Sequence, residues 1–335
     1  MRTPFIVAEI GVNHDGSIEK AKEMILEAKL CGASAVKFQS FSAKKLASAN
    51  TPKVKYQREN DSSESHLEML SRLELSHDDQ SNLFKFCQKE GIEFFSTPYS
   101  VEDAHFLFEL GVQKFKTASA DIVDVPLHQF ISSCGFLTMV STGMATDSEI
   151  LDVVSIYKEA DCPLVLMHTT SEYPCPLENV NLARLEYLKR QSTSGLGFSD
   201  HTEGYLAAVA AAALGAQYFE KHFTLDKSSG GPDHGASAEP QDFSLYIKSV
   251  GNACKVIGTV NPEMSINERE MRLVSRKSLV FRKSLQKGCE VSAKDLDSSR
   301  PGTGLLWSDF VNIVNKRLIR NVSSGEMLKQ SDFEE

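Results

Sequence analysis

The chain has 335 residues, 41% of them hydrophobic and 24% charged, with a net charge of −9. These are ordinary values for a soluble globular protein, and no apolar run approaches the ~20 residues of a membrane helix. The negative balance argues against general nucleic-acid binding, but not against an anionic small substrate that a few local lysines can hold.

The seven cysteines include no Cys-x-x-Cys pair and are expected to be reduced thiols. The N-terminal stretch lacks the length and cleavage site of a signal peptide, so a cytoplasmic location is expected.

In chain order, eight short apolar runs alternate with helical patterns: 5–11, 35–40, 93–97, 114–119, 136–142, 163–169, 195–200 and 218–223. The first helix, 17–31, has Ser17 as its cap and Ala21, Met24, Ile25 and Ala28 at helical spacing. Gly32, Gly91, Gly111 and Gly215 fall just before the next run, where a left-handed C-cap favours glycine.

Strand, helix, glycine, strand, repeated eight times, predicts an α/β fold, a (β/α)₈ barrel over residues 1–258. A doubly wound open sheet is the competing arrangement. Eight units, and polar residues at almost every strand end, favour the barrel. Residues 42–76 are too polar and too long for a βα loop of ~2–6 residues; following a strand's C-terminal end, they are expected to lie over the mouth as a lid. The polar loop 225–242 leaves the same face.

A linker containing Pro262 is expected over 259–273. A small β-rich domain is expected over 274–335, where Lys287-Gly288 leading to Asp295-Leu296 is echoed by Ser324-Gly325 leading to Asp332-Phe333.

Barrel chemistry sits at the C-terminal strand ends. These ends carry Glu9, Lys37, Gln39, Thr97, Lys116, Ser119, Ser141, Thr142, Ser171, Ser199, Asp200, His201 and His222. Lysines inside barrel strands are costly unless an anion pairs with them. With a ring of serines, Lys37 and Lys116 suit a substrate carrying phosphate and carboxylate. The alternative is that they pair with Glu9 and Asp121 only to hold the barrel. His201 and His222 are candidate ligands for one divalent ion, or else core histidines satisfied by backbone groups. His14 and Asp15 either contact a ligand or cap the first helix. Cys175 is expected to be inert.

Ala8-Glu-Ile-Gly-Val-Asn-His-Asp-Gly16, Val36-Lys-Phe-Gln39, Ser96-Thr-Pro-Tyr99, Ser141-Thr-Gly-Met144, Gly197-Phe-Ser-Asp-His201, Glu220-Lys-His-Phe-Thr224, Gly231-Pro-Asp-His234 and Arg300-Pro-Gly-Thr-Gly304 occur in one order. With this set the chain resembles the sialic acid (nonulosonate) synthase family from end to end. The resemblance implies a TIM barrel followed by an antifreeze-like SAF domain. It implies condensation of phosphoenolpyruvate with an N-acetylhexosamine, and release of phosphate.

By the same resemblance, His201 and His222 bind Mn²⁺, with Mg²⁺ or Co²⁺ as alternatives. Lys37, Gln39, Thr97, Lys116, Ser119, Ser141 and Ser199 hold phosphoenolpyruvate. Tyr173, Asp121, Asp233 and Arg300 face the sugar. Glu9 handles protons, and Asn60 or Asp61 in the lid reaches the sugar. The family's homodimers exchange their C-terminal domains, which implies the same here.

Two stretches depart from the family pattern: Ala120 replaces a glycine, and Thr169 follows His168 where members often have cysteine. The lid sequence resembles that of synthases using N-acetylmannosamine or its legionaminic relative; N-acetylmannosamine is the expected sugar, with a legionaminate- or pseudaminate-type 2,4-diacetamido-trideoxyhexose as the alternative. Rival readings are another metal-dependent phosphoenolpyruvate aldol synthase and a non-catalytic sugar-binding, antifreeze-like protein.

Overall fold

The computed structural model describes residues 3–47, 52, 64–260 and 263–334. Asn60 and Asp61 in the lid and Pro262 in the linker therefore lie outside the described residues. The chain divides into two compact units, Met1–Gly258 and Thr259–Glu335. Among the described residues, no helix is long and apolar enough to cross a membrane.

The first unit contains eight parallel strands: β1 (Phe5–Gly11), β2 (Ala35–Ser40), β3 (Glu93–Pro98), β4 (Lys114–Thr117), β5 (Leu137–Ser141), β6 (Leu164–His168), β7 (Leu196–Asp200) and β8 (Tyr218–His222). They pair in the order β3-β2-β1-β8-β7-β6-β5-β4. That is the chain order read round a ring, and the two end strands β3 and β4 lie against each other. The sheet is a TIM-type near-barrel, as the strand–helix rhythm predicts.

Local chemistry sets the helix ends. In α1 (Ile18–Cys31) the Ser17 side chain accepts from the Lys20 amide, and Gly32 caps the C-terminus in the left-handed conformation at φ 95°. Within the 42–76 insertion lie α2 (Ala43–Leu46) and α3 (His66–Leu73). Met69, Leu70 and Leu73 share one face of α3 and pack with Val12, Phe41 and Ala43, which anchors the insertion to the barrel rim. The helices that follow are α4 (His77–Glu90), α5 (Val101–Leu110), α6 (Val125–Ser133), α7 (Asp147–Glu159), α8 (Arg184–Gln191), α9 (Leu206–Ala213) and α10 (Pro240–Ile257).

Strand parity sorts the side chains. Ile6, Val36, Phe38, Phe94, Phe115 and Phe219 point outward into the helix layer. Val7, Ala35, Phe95, Met139, Val165 and Met167 form an apolar plug inside the barrel. Two residues further along the same inward faces come Glu9, Lys37, Thr97, Ser141 and, on β7, Ser199. The apolar plug thus closes one end, and a polar layer lies on top of it.

The second unit has α11 (Ile266–Ser275) and an antiparallel pair, β9 (Ser278–Phe281) with β10 (Leu296–Ser299). Its core includes Leu279, Phe281, Val291, Leu318, Val322 and Leu328. The turn echo in the sequence is a structural repeat. Gly288 and Gly325 both have positive φ, and each precedes a buried aspartate, Asp295 or Asp332. Lys283 pairs with Asp295 at 2.9 Å and Arg320 with Asp332 at 2.7 Å.

Candidate active site

The polar layer surrounds a cavity of about 770 Å³, within the usual range for a small-molecule site. Register places its members. Glu9 on β1 lies beside Lys37 on β2 and His222 on β8, and Ser199 on β7 lies beside Glu220 on β8. The Lys37 Nζ contacts Glu9 Oε2 at 2.8 Å and donates to Thr97 Oγ1 at 2.7 Å. The Lys116 Nζ donates to Ser141 Oγ at 2.6 Å. Glu220 stands between the lysines, 3.9 Å from Lys37 and 3.8 Å from Lys116, and accepts from Ser199 Oγ at 3.1 Å. Gln39 Nε2 donates to Glu9 Oε1 at 3.2 Å, and the Tyr99 hydroxyl donates to Gln39 at 3.4 Å.

The two carboxylates are driven apart in acidity. Burial raises the pKa of Glu9, and the negative charge of Glu220 adds to that against the pull of Lys37. Burial also acts to raise Glu220, but Lys116 and Lys37 outweigh it and bring its pKa down to about 2. Glu220 is therefore a fixed anion, and Glu9 is the group able to exchange a proton. Burial lowers the Lys116 pKa despite Glu220. Burial acts the same way on Lys37, but Glu220 and Glu9 reverse it and raise its pKa.

His201 follows β7, and its Nδ1 meets the Thr170 carbonyl at 2.7 Å. Burial, and then His222, lower its pKa to about 3. The ring is neutral, Nδ1–H is donated to that carbonyl, and Nε2 keeps its lone pair. The His222 ring centroid lies 5.7 Å away, and its buried Nδ1 has no hydrogen-bond partner. Tyr173 packs against both rings, at 4.0 and 5.8 Å. Asp233 Oδ2 lies 3.8 Å from His222 Nδ1. This donor set fits a divalent ion: two imidazole rings 5.7 Å apart, with the Asp233 carboxylate beside one of them. Among the described residues no three or more His, Cys, Asp or Glu side chains form a complete cage, so water or substrate oxygens would have to fill the shell.

Glu9, Lys37, Gln39, Thr97, Lys116, Ser119, Ser141, Tyr173, Ser199, His201, His222 and Asp233 all line this one cavity. Asp121 does not. It lies in the 3₁₀ turn Ser119–Val123, where burial and Asp124 raise its pKa to about 7. Arg300 belongs to the second unit, where its Nε donates to the Ser275 carbonyl at 3.0 Å. Asp200 has outward parity and sits 3.7 Å from Lys221 behind the barrel wall, so it does not face the mouth. Cys175 is buried, and burial raises its pKa. Sequence reasoning overlooked Glu220 as a site residue. The available signal was its shared inward face with His222, two residues on. Tyr99, Met69, Leu70 and Leu73 also line the cavity.

The NeuB family profile matches residues 24–262, and the SAF domain profile matches residues 276–334. The chain is 40% identical to the N,N'-diacetyllegionaminic acid synthase of Legionella pneumophila, over 97% of this chain and 93% of that one. It is 36% identical to the enzyme of the same name from Campylobacter jejuni, over 98% of this chain and 100% of that one. Among solved structures it is similar to the N-acetylneuraminic acid (sialic acid) synthetase of Leptospira borgpetersenii in complex with citrate. That match has a TM-score of 0.72 and 32% identity, and it covers 80% of this chain and 89% of the other.

Proposed function

Because the chain belongs to the NeuB family of nonulosonate synthases, we propose that it joins phosphoenolpyruvate to a legionaminate-type 2,4-diacetamido-trideoxyhexose and releases phosphate. The observation that carries the reaction is one ring holding Glu9, Lys37, Lys116, Ser141, Ser199 and Glu220 beside two histidines. The sugar rests on the names of the relatives and on the cleft wall. Val12, Leu46, Met69, Leu70 and Leu73 line that wall. An apolar wall suits the terminal methyl of a trideoxy sugar better than the hydroxymethyl of N-acetylmannosamine, whose hydroxyl would lose water there. N-acetylmannosamine, the expectation from sequence, becomes the second reading.

In this reading Lys37, Lys116 and the hydroxyls of Ser119, Ser141 and Ser199 hold phosphoenolpyruvate, with Thr97 and Gln39 alongside. Glu220, standing between the two lysines, offsets part of their charge, and the lysines with the serine hydroxyls receive the anion. The methylene carbon of phosphoenolpyruvate bonds to the aldehyde carbon of the open-chain sugar. Water then adds at the carbon bearing phosphate; the new hydroxyl gives its remaining proton to the departing phosphate as the carbon–oxygen bond breaks and the ketone forms. Glu9 gives its proton to the aldehyde oxygen and, once ionised, takes one from the water. Tyr173 and Asp233 orient the sugar.

His201 and His222 would hold a divalent cation, Mn²⁺ first among candidates, which supplies Lewis-acid polarisation of the aldehyde when bound. The enzyme is proposed to act in the cytoplasm as a homodimer that exchanges its C-terminal domains, with Arg300 reaching the sugar.

Phosphate release from phosphoenolpyruvate over a panel of sugars tests this. The panel includes N-acetylmannosamine, its phosphorylated form and the legionaminate- and pseudaminate-type hexoses. The legionaminate-type sugar should give the highest kcat/KM. A higher value with N-acetylmannosamine restores the expectation from sequence, and no release with any sugar sinks the reaction. Chelation should abolish turnover and Mn²⁺ should restore it; full activity in a verified metal-free preparation removes the metal from the scheme.

A further inference from the structure

The turn between β1 and α1, Asn13-His-Asp-Gly16, takes no part in that scheme, and none of its residues lines the cavity. Ser17 caps α1, so the turn is not needed for capping either. The His14 ring accepts from the Gly16 amide within the turn, and Asp15 pairs with Lys20 on α1, but Asn13 and Asp15 also reach the loop that follows β8. Asn13 Nδ2 donates to the Phe223 carbonyl at 2.9 Å and to Ser237 Oγ at 2.8 Å. The Ser237 hydroxyl in turn donates to the Asp233 carbonyl at 2.6 Å.

Two residues along the turn, the Asp15 carboxylate receives Nε2–H of His234 at 3.2 Å. The other nitrogen of that ring meets Thr224 Oγ1 at 2.7 Å. Asn13, Thr224 and His234 have no exposed surface. A side chain on Gly231 would collide with the His234 ring and crowd Asp15, so the loop closes tightly over this pair. The opposite side of the turn touches the lid, where the Arg72 carbonyl at the end of α3 leaves no room for a side chain on Gly16.

Asp233 is therefore fixed from two directions. Its carbonyl is held through Ser237, and the next residue, His234, is pinned to Asp15. Its carboxylate is what lies 3.8 Å from His222. We infer that Asn13 and Asp15 are positioning residues, which act through Ser237 and His234 to set the Asp233 carboxylate against His222. The same turn supports the lid end, so it joins the two segments flanking the sugar side of the cavity. A network that served only the fold would not need to end on the backbone of the residue facing His222.

The inference rests on the reading that Asp233 faces the sugar, and its test separates the two. Asp15→Asn keeps the shape of the side chain and removes its charge. With any sugar that the unaltered enzyme turns over, it should lower kcat/KM for the sugar about 10- to 100-fold, the usual effect of losing such a supporting contact. KM for phosphoenolpyruvate should stay within about twofold. In an Asp233→Asn background, adding Asp15→Asn should cost less than about twofold more, because the two act through one carboxylate.

Nitrogen NMR of labelled histidines supplies a readout that needs no turnover. Asp15→Asn should displace the His222 signals in the same direction as Asp233→Asn. Independent, multiplying losses overturn the inference. So does a matching rise in the phosphoenolpyruvate KM, an Asp233→Asn variant without effect, or unmoved His222 signals. Asn13→Ala, which breaks the arm through Ser237, should displace the His222 signals as well; unmoved signals there also overturn the inference. If the unaltered protein turns over no sugar, the proposed reaction falls, and the NMR comparison alone decides the role of the turn.

Discussion

Glu9 and Glu220 are the same residue type in one cavity, yet their surroundings assign them different tasks. Glu220 lies between two lysines and stays ionised. Glu9 has one lysine, deep burial and a neighbouring anion, and its pKa rises. Glu220→Gln should leave Lys37 and Lys116 short of a buried counter-charge. Breaking such a cluster costs about 3–5 kcal/mol, and calorimetry should show Tm falling by several degrees. Glu9→Gln removes the carboxyl whose pKa burial raises and leaves Glu220 to balance the lysines, so Tm should fall less than in Glu220→Gln while kcat falls about 10²- to 10⁴-fold. Equal Tm losses in the two variants would refute this division of labour. The pKa of Glu9 is raised, so the acid form is present at low pH and is lost as pH rises through that value. A descending alkaline limb in the kcat profile should therefore vanish in Glu9→Gln.

At the scale of elements, the packing of α6 against α7 carries a buried histidine. His128 on α6 meets the Tyr157 hydroxyl on α7 and the Asp121 carbonyl, both at 3.2 Å. Burial lowers its pKa from the ordinary 6.5 to about 4. Between those values the unfolded chain binds a proton that the folded chain refuses, so stability is lost as pH falls through 6.5. From pH 7 to 5 the loss is on the order of 2 kcal/mol. Denaturant titrations of His128→Gln should show a shallower decline over that interval, and an identical decline would mean that the ring titrates in the fold. The eight strands and the helix stops were legible because periodicity and cap chemistry are local: Ser17, Gly32, Gly91 and Gly111 each act within a few residues of the end they set. Side-chain direction was less legible. The end of β7 offers Ser199, Asp200 and His201 in succession, and only parity relative to the closed ring sends Asp200 outward to Lys221. Glu220 was missed because it lies one inward step below the strand end. The contact between Asp15 and His234 spans 219 positions, so no sequence spacing records it.

The molecule as a whole raises the question of which barrel the tail serves. Arg300 lies in the second unit, and the proposed dimer gives it to a partner's cavity. An arginine there would supply fixed donors to sugar oxygens. Exchange between copies can be tested with two variants that are each inactive. Arg300→Ala spoils every tail and His222→Ala spoils every barrel. In a hybrid dimer with exchanged tails, the barrel with intact His222 receives the tail with intact Arg300, and the other site has neither. Random mixing makes about half the dimers hybrid, each with one working site of two, so about a quarter of the unaltered activity should return. If each tail served its own barrel, no pairing would unite the two intact residues, and activity would stay at the level of the separate variants. Subunit exchange is followed by mass spectrometry of differently tagged chains. Recovery that rises with the hybrid fraction supports the exchanged dimer. Full exchange without recovery sinks it, whereas activity in Arg300→Ala alone would remove Arg300 from the sugar site.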